Sequence, residues 1–186
     1  MNLKPTEILE AEHKFIQIVI SALAEIAGRM EAGREIPKEI LFNVVDFMRS
    51  YADADHHGKE EAILFPFLEK KGVPPQGCPL SILISEHQRG RSLVSDLAES
   101  AEKYTSNEPG AKEKLLKTFH TLVDLYPKHI WREDYLLFPM TDKMLSPDEQ
   151  DSLRQQFDEA EKKFGEDNHL KFEQMAQEIK NIAEKD

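Results

Sequence analysis

Apolar residues recur every three or four positions along nearly the whole chain, and no long segment alternates between apolar and polar residues. Spacings of three and four are typical of helices with one apolar face, whereas half-buried strands alternate with a period of two. The pattern predicts four long helices, over about residues 6–30, 37–70, 79–103 and 111–144. They are separated by Gly33, by a Pro- and Gly-rich loop at 72–79 and by a polar segment at 105–110.

The sequence after the fourth helix predicts a helical extension. Ser146, Pro147 and Glu149 form the pattern of a capping box with proline at the first helical position. The residues that follow are very polar and indicate one or two further helices. We therefore expect a main helical domain at residues 1–144 and a C-terminal extension at 145–186 that packs on it.

Two motifs of the chain occur twice. The segment ILEAEH at 8–13 returns as ILISEH at 82–87, and HHGKEEAILFP at 56–66 returns as HIWREDYLLFP at 129–139. Each copy supplies one histidine on its first helix and a His-x-x-x-Glu pair on its second helix. The chain is therefore interpreted as a duplicated helical hairpin, and two such hairpins predict an all-α fold closed into a four-helix bundle.

The repeat places ionisable side chains at one level of this bundle. Each histidine of the two motifs lies about 20 residues, or roughly 30 Å of helix, from the turn of its own hairpin. Within each His-x-x-x-Glu pair, the spacing stacks imidazole and carboxylate on one helix face. The residues predicted to meet in this layer are His13, His56, Glu60, His87, His129 and Glu133.

The chemistry of this layer indicates a metal site. Neutral imidazole and carboxylate groups are favoured ligands of first-row metals, and carboxylates buried without a cation are costly. Six or seven such donors exceed the four positions of a zinc site. They suit two metal ions with an open coordination position.

Composition narrows the other function classes. The chain has 35 acidic and 24 basic residues and a net charge of -11, which argues against binding to nucleic acids or anionic membranes. No apolar stretch approaches the roughly 20 residues of a membrane span, and the N-terminus lacks the pattern of a signal peptide. A single cysteine excludes an internal disulfide framework. These features predict a cytoplasmic protein.

The combination of motifs resembles the hemerythrin family in its HHE cation-binding form, over about residues 5–143. The resemblance implies an up-down-up-down four-helix bundle that holds two non-haem iron ions, a diiron centre bridged by two carboxylates and an oxo or hydroxo group. It implies that four of the histidines are terminal ligands and that the two glutamates are bridging ligands. The implied terminal ligands are His13, His56, His87 and His129, and the implied bridges are Glu60 and Glu133.

One position departs from the family pattern. Oxygen-carrying hemerythrins have a further histidine four residues after the one matched by His87, where this chain has Arg91. His57 is the candidate fifth histidine ligand, although the repeat maps it onto Ile130 and it could also be a core or rim residue. Arg91 is predicted either to pair with a carboxylate near the metal, such as a ligand carboxylate, or to lie on the surface.

The remaining ionisable residues near the motifs receive weaker assignments. Glu12 and Glu86 each precede a predicted ligand, so they point about 100° away from it and are predicted to support a ligand or face solvent. Glu12 and Glu86 are also candidate partners for Arg91. Glu61 is predicted to lie outside the ligand set. His120 and His169 have no repeat partner, so both are predicted to be ordinary helix or surface residues.

The predicted function is binding or sensing of dioxygen by a non-haem diiron protein. An apolar wall is expected to keep water from the metal ions, formed by Phe15, Leu64, Phe65, Leu137 and Phe138. The alternative is a diiron enzyme acting on peroxide or nitric oxide, or an iron donor for cluster repair. A metal-free interaction bundle is the third class, but it leaves the duplicated ligand layer unexplained. The expected partners are dioxygen or another small diatomic or peroxide ligand, with a homodimer or a signalling partner where the protein is a sensor.

Overall fold

A computed structural model describes residues 3–185, and these residues form six helices without any strand. The predicted all-α class is therefore confirmed. Two of the helices contain π-helical turns, which are wider than those of an α-helix. The helices are α1 (Pro5–Glu31), α2 (38–70), α3 (Leu80–Thr105), α4 (111–144), α5 (Pro147–Phe164) and α6 (Glu166–Ala183).

Helices α2 and α4 contain π-helical turns that the apolar periodicity did not predict. Helix α2 is α-helical over Lys38–Phe47 and Phe65–Lys70 and π-helical over Met48–His57 and Glu60–Leu64. Helix α4 is α-helical over Ala111–Arg132 and Phe138–Met144, with a π-helical turn at Glu133–Leu137 between them. In both helices a turn ends at the repeated Leu-Phe-Pro, where proline lacks the N–H that would continue the hydrogen-bond ladder.

The helix that follows the bundle begins as the sequence predicts. The Ser146 hydroxyl accepts a hydrogen bond from the Glu149 backbone N–H at 3.4 Å, and the Glu149 carboxylate accepts one from the Ser146 N–H at 2.9 Å. Pro147 occupies the first turn, where a missing N–H costs nothing. Gly165 separates α5 from α6 with a φ of 100°, a left-handed value that glycine adopts readily.

Contacts between helix ends give the directions of neighbouring helices. Near the start of α1, the Thr6 hydroxyl donates to Asp142 at the end of α4, over 2.8 Å. Near the end of α1, Glu31 contacts His120, which lies in the first half of α4, so these two helices are antiparallel. The first residue of α2 likewise donates its ammonium to the backbone carbonyl of the last residue of α3, so α2 and α3 are also antiparallel.

Two apolar clusters lie on either side of the predicted metal layer. Along α1, Leu9 belongs to the smaller cluster and Ile16 to the larger one, with His13 between them. The other three helices of the bundle contribute to both clusters in the same way. The spacing of apolar residues predicts a buried stripe on α1, and four of its six residues are buried, namely Val19, Ala22, Leu23 and Ile26. The other two, Ile8 and Phe15, are half-buried, and their neighbours Leu9 and Ile16 take the core positions.

The C-terminal helices pack on α1 and α2. Phe172, Ala176 and Ile179 of α6 join the larger apolar cluster, and Leu153 and Phe157 of α5 join the smaller one. Because the extension shares both clusters with the rest of the chain, the boundary between residues 144 and 145 stays a prediction. Across residues 3–185, no helix combines the length and the apolar character that a membrane crossing requires.

Candidate metal centre

The imidazole Nε2 atoms of four histidines point at two buried glutamates. His13 Nε2 lies 3.2 Å and His129 Nε2 3.3 Å from the same oxygen of Glu133. His87 Nε2 lies between the two carboxylates, 3.4 Å from Glu60 and 3.5 Å from Glu133. The nitrogen of the fourth histidine, at position 56, is 3.9 Å from Glu60. Four different helices thus bring their side chains to one point.

The donor atoms form two adjacent groups that could each hold a metal ion. Within each group the atoms lie within 4.8 Å of one another, and every residue is buried. Nε2 of His87, in one group, lies 3.4 Å from Glu60 of the other, so the two groups adjoin. All seven residues singled out in the sequence are therefore together in the structure. One group is His57, His87 and His129, and the other is His13, His56, Glu60 and Glu133.

Most of these donor atoms have no hydrogen-bond partner among the described residues. Both oxygens of Glu60 and of Glu133 are buried without a partner. A buried polar atom without a partner costs about 1–3 kcal/mol, and more when it is charged. A metal ion would satisfy these atoms together, so the donor set fits one. The unpaired imidazole nitrogens are the Nε2 atoms of His13, His56, His87 and His129.

The other ring nitrogen of each histidine contacts a carboxylate. A carboxylate can only accept a hydrogen bond, so Nδ1 carries the proton and the Nε2 lone pair is free for a metal. Such carboxylates fix the orientation of metal-binding histidines. The pairs are His13 with Asp134 (2.6 Å), His56 with Glu12 (2.8 Å), His57 with Asp53 (3.2 Å), His87 with Glu61 (2.6 Å) and His129 with Glu86 (3.2 Å).

These pairs decide between alternatives that the sequence left open. Glu12 and Glu86 support the imidazoles of α2 and α4 and are not solvent-facing residues. Glu61 contacts Nδ1 of His87 and lies outside both donor groups, as predicted. Asp53 was missed by the sequence reading. Its signal was the Asp53-x-x-x-His57 spacing, which stacks the two side chains on one helix face.

His57 shares burial and a carboxylate partner at Nδ1 with the four repeated histidines. It is 2% exposed, its ring packs against His87, and its Nδ1 faces a carboxylate. This excludes a position on the rim of the site. It belongs to the donor group of His87 and His129, but it has no ion-pair contact with Glu60 or Glu133 such as those two histidines make, so its role as a ligand stays a prediction.

Arg91 holds two of the supporting carboxylates. Its Nε donates to Asp53 at 2.8 Å and its Nη2 donates to Glu61 at 2.7 Å. Of the predicted alternatives, Arg91 pairs with carboxylates near the site, but these are neither the predicted ligand carboxylates nor Glu12 or Glu86, which contact other basic residues. Arg91 therefore steadies the partners of His57 and His87.

Burial and neighbouring charges shift the ionisation of the site. Burial, followed by repulsion from Glu133, raises the pKa of Glu60 well above its ordinary value. Burial also lowers the pKa of His56 to about 4 and that of His57 well below its usual range. For His13 burial acts in the same direction, but the hydrogen bond to Asp134 and the negative charge of Glu133 prevail and raise its pKa to about 9. Burial of the site therefore favours the neutral form of the His56 and His57 imidazoles, beside the carboxyl groups of Glu60 and Glu133.

Phenylalanine side chains stack on two of the histidines of the site. Phe138 stacks on His13 with 5.6 Å between centroids, and Phe65 stacks on His87 with 5.9 Å. Both phenylalanines come from the repeated Leu-Phe-Pro and are buried. Phe15, also expected in this wall, is half-buried and contacts a tyrosine edge-on instead. The wall predicted from the motifs is therefore present, with one of its members placed elsewhere.

The two histidines without a repeat partner differ from each other. His120 is exposed and pairs with Glu31, as expected for a surface residue. For His169 the prediction was wrong, because Nε2 of His169 lies 3.5 Å from Glu12, the partner of His56. No local pattern in the sequence indicates this contact, which depends on how α6 docks on α1.

The chain is similar to curated proteins from mycobacteria. Among curated proteins, the uncharacterized proteins Rv1995 of Mycobacterium tuberculosis (strain ATCC 25618 / H37Rv) and Mb2018 of Mycobacterium bovis (strain ATCC BAA-935 / AF2122/97) are each 27% identical over 162 residues. The aligned region covers 86% of this chain and 62% of each relative, so the chain spans about three fifths of their length. No solved structure matches the chain.

A family profile matches most of the chain. The profile of the hemerythrin HHE cation-binding domain matches residues 4–141, and a second, overlapping match covers residues 78–185. The first match contains every histidine and glutamate of the two donor groups. The buried histidine and glutamate clusters and the family profile both indicate metal binding, and the chain belongs to the hemerythrin family, as a protein with an HHE cation-binding domain.

Proposed function

We propose that this protein holds two non-haem iron ions in an up-down-up-down four-helix bundle and uses them to bind or sense dioxygen. The observation that carries the proposal is the set of buried, unpartnered Nε2 and carboxylate oxygen atoms at the centre of the helices. One ion would be held by His57, His87 and His129, and the other by His13 and His56. Glu60 and Glu133 belong to the second group but also lie 3.4 and 3.5 Å from Nε2 of His87 in the first, so they would be shared.

The two proposed positions have unequal numbers of protein donors. With the two carboxylates shared, three imidazoles serve one ion and two serve the other. The two-histidine position therefore keeps room for a small exogenous ligand. An iron pair held by the two donor groups would supply reversible electron transfer to dioxygen.

The residues of the chain would control access and charge at this position. Phe138 and its apolar neighbours in the smaller cluster exclude water from the side of His13. Asp134 and Glu12 hold the protons of His13 and His56 on Nδ1, so that both Nε2 atoms remain donors. A dry, fixed donor set favours reversible binding, because water and protons promote side reactions.

The same unequal donor set supports a second candidate function. An open position also admits peroxide or nitric oxide, and a loosely held ion could be delivered to a damaged cluster. Stopped-flow mixing of the diferrous protein with dioxygen, peroxide and nitric oxide separates these functions. A stable adduct that reverses when dioxygen is removed supports carriage or sensing, whereas catalytic loss of peroxide or nitric oxide supports an enzyme.

Metal analysis after anaerobic loading tests the proposal directly. We expect two iron ions per chain and, on exposure to air, the near-ultraviolet absorption of a ferric pair. The change His13→Ala should remove this absorption, since it deletes one of the two imidazoles at the open position. The matched control is His120→Ala, which deletes an exposed histidine paired with Glu31. A wild-type chain that retains fewer than about one iron ion contradicts the proposal, given typical affinities of such donor sets.

The cell compartment and the partners are also proposals. A single, exposed cysteine suits a reducing compartment, so we place the protein in the cytoplasm. The net charge of -11 disfavours nucleic acids and anionic membranes as partners. A sensing role would require a second copy of the chain or a signalling protein to read the state of the centre.

A further inference from the structure

A buried lysine is linked to the proposed metal site through one carboxylate. The side chain of Lys59 is 1% exposed, and its ammonium contacts Glu12 Oε1 and donates to Asp55 at 2.9 Å. The other oxygen of Glu12 faces Nδ1 of His56 at 2.8 Å. Any movement of Glu12 would therefore change both the environment of the lysine and the orientation of His56.

The C-terminal helices complete this network. His169 of α6 places Nε2 3.5 Å from Glu12 and 3.6 Å from Asp55, which are ion-pair distances rather than well-formed hydrogen bonds. Glu12 raises the pKa of His169 above its ordinary value. Glu161 of α5 lies 3.8 Å from the ammonium of Lys59. Both helices of the extension thus contribute to the surroundings of Glu12.

This network is not a further metal site. Glu12, Asp55 and His169 are close enough together to hold an ion. However, the ammonium of Lys59 already lies on the two carboxylate oxygens that such an ion would use. The ammonium of Lys59 therefore occupies the position that a metal ion would take, and the network supports Glu12.

The second half of the chain contains the same contact between a basic residue and the glutamate that supports a histidine, but there the pair is more exposed to solvent. Arg132 donates to Glu86 at 2.7 Å, and Glu86 faces Nδ1 of His129. The side chains of Arg132 and Glu86 are 35% and 17% exposed, whereas those of Lys59 and Glu12 are 1% and 2% exposed. Exclusion of water strengthens electrostatic contacts, so the covered network holds its histidine more firmly.

We propose that His169 is a positioning residue of the metal centre: docking of the C-terminal helices holds Glu12 against His56 and so strengthens the two-histidine position. This inference rests on the proposed function for its effect on the metal. The hydrogen bond between Glu12 and His56 belongs to the protein alone, so its part of the inference is testable without iron.

The first test measures iron release. A chelator added to the anaerobically loaded protein should remove iron in two phases, the two-histidine ion first. Loss of a partner that directly contacts a ligand typically changes metal affinity 10–100-fold, and His169 acts one contact further out, so His169→Leu should accelerate the first phase about threefold to tenfold. A cavity of about 420 Å³ borders His169, so the leucine can be accommodated.

Matched variants separate positioning from general destabilisation. His169→Gln keeps a donor towards Glu12 and should restore much of the wild-type rate. His120→Leu makes the same change at the exposed histidine paired with Glu31 and should alter neither phase. Equal acceleration of both phases in His169→Leu would indicate a merely structural role and overturn the inference, as would no change in either phase.

The second test uses the metal-free protein. The Nδ1 proton of His56, held by Glu12, should give a slowly exchanging imidazole signal in NMR spectra. We expect its exchange to become at least about threefold faster in His169→Leu, since a loosened partner raises the population of open states. Unchanged exchange would refute the positioning role even where iron loads normally. Failure of the wild-type chain to bind iron would instead refute the proposed function and leave this measurement to decide the inference.

Discussion

The two halves of the chain, residues 5–70 and 80–144, make the same contacts around the candidate metal centre, but the C-terminal helices pack mainly on the first half. In each half, a glutamate on the first helix supports a histidine on the second and accepts from a basic residue there. In each half, a Leu-Phe-Pro phenylalanine stacks on a histidine of the opposite half. The corresponding pairs are Glu12–His56 and Glu86–His129, Lys59–Glu12 and Arg132–Glu86, and Phe65–His87 and Phe138–His13.

The halves differ where the fifth histidine lies. Asp53 and His57 of α2 correspond to Tyr126 and Ile130 of α4 under the repeat. Duplication by itself therefore accounts for four histidines and two glutamates. The fifth imidazole, its carboxylate partner and the covering helices are features that the two halves do not share. The repeated residues therefore form most of the donor layer, while the residues without a counterpart make the two proposed metal positions unequal.

Removing the buried cation of the first half should have the largest effect on stability. Lys59→Met leaves Glu12 and Asp55 buried without their counter-charge, which typically costs about 3–5 kcal/mol. Arg132→Met removes the corresponding cation from a contact that is one-third exposed, so the loss should stay below about 1 kcal/mol. Urea unfolding of the two metal-free variants measures the difference in unfolding free energy.

A double variant identifies the origin of that loss. If Lys59→Met acts through an unpaired charge, adding Glu12→Gln should recover part of the lost stability. Equal losses for Lys59→Met and Arg132→Met would mean that the C-terminal helices do not change the strength of the contact. The distinction between a covered and an uncovered half would then have no energetic meaning.

Replacing His57 should affect the metal more than the fold. His57→Leu removes one imidazole from the three-histidine group, and we expect the apparent affinity for one iron ion to fall at least about tenfold, or about 1.4 kcal/mol. Ile130→Val, at the corresponding position of the second half, should cost about 0.5–1.5 kcal/mol of unfolding free energy and leave metal binding unchanged. Competition with a chelator gives the affinities, and urea unfolding gives the stabilities.

The variants His57→Leu and Ile130→Val can also disprove the assignment of His57 as a metal ligand. Unchanged iron affinity in His57→Leu, together with a loss of stability like that of Ile130→Val, would show that His57 is a core residue. The structure would then hold four histidine ligands, all from the repeat, and Arg91 would mark a position that the chain left unfilled.

The repeat explains why much of the donor layer could be predicted from the sequence. Helical rise and the spacing of the two motifs fix the level and the face of His13, His56, His87 and His129 without knowledge of packing. Residues next to a ligand were harder, because a helical step of about 100° leaves a side chain such as Glu12 between the core and the surface. Only the crossing of α1 and α2 decides that it meets His56.

Features without a second copy could not be predicted in this way. The π-helical turns leave the spacing of apolar residues nearly unchanged, so periodicity does not reveal them, although the repeated Leu-Phe-Pro was a local signal for two of the three. The contact of His169 with Glu12 joins the two ends of the chain and depends on the docking of α6. Such contacts follow from tertiary packing, which local sequence patterns do not encode.

The smallest expected effect concerns Arg91, which has no cationic counterpart in the repeat and contacts the carboxylates of both His57 and His87. Its side chain is 37% exposed and both partners are 30% exposed, so Arg91→Met should lower the unfolding free energy by less than about 1 kcal/mol. The carboxylates remain beside their histidines, so we expect iron affinity to fall only about twofold to fivefold, below the 10–100-fold typical of losing such a partner. Salt screens exposed ion pairs, and the difference from wild type should therefore shrink at high ionic strength. Chelator competition at low and high salt measures this, and a salt-independent loss of one whole ion would show instead that Arg91 is required to assemble the three-histidine group.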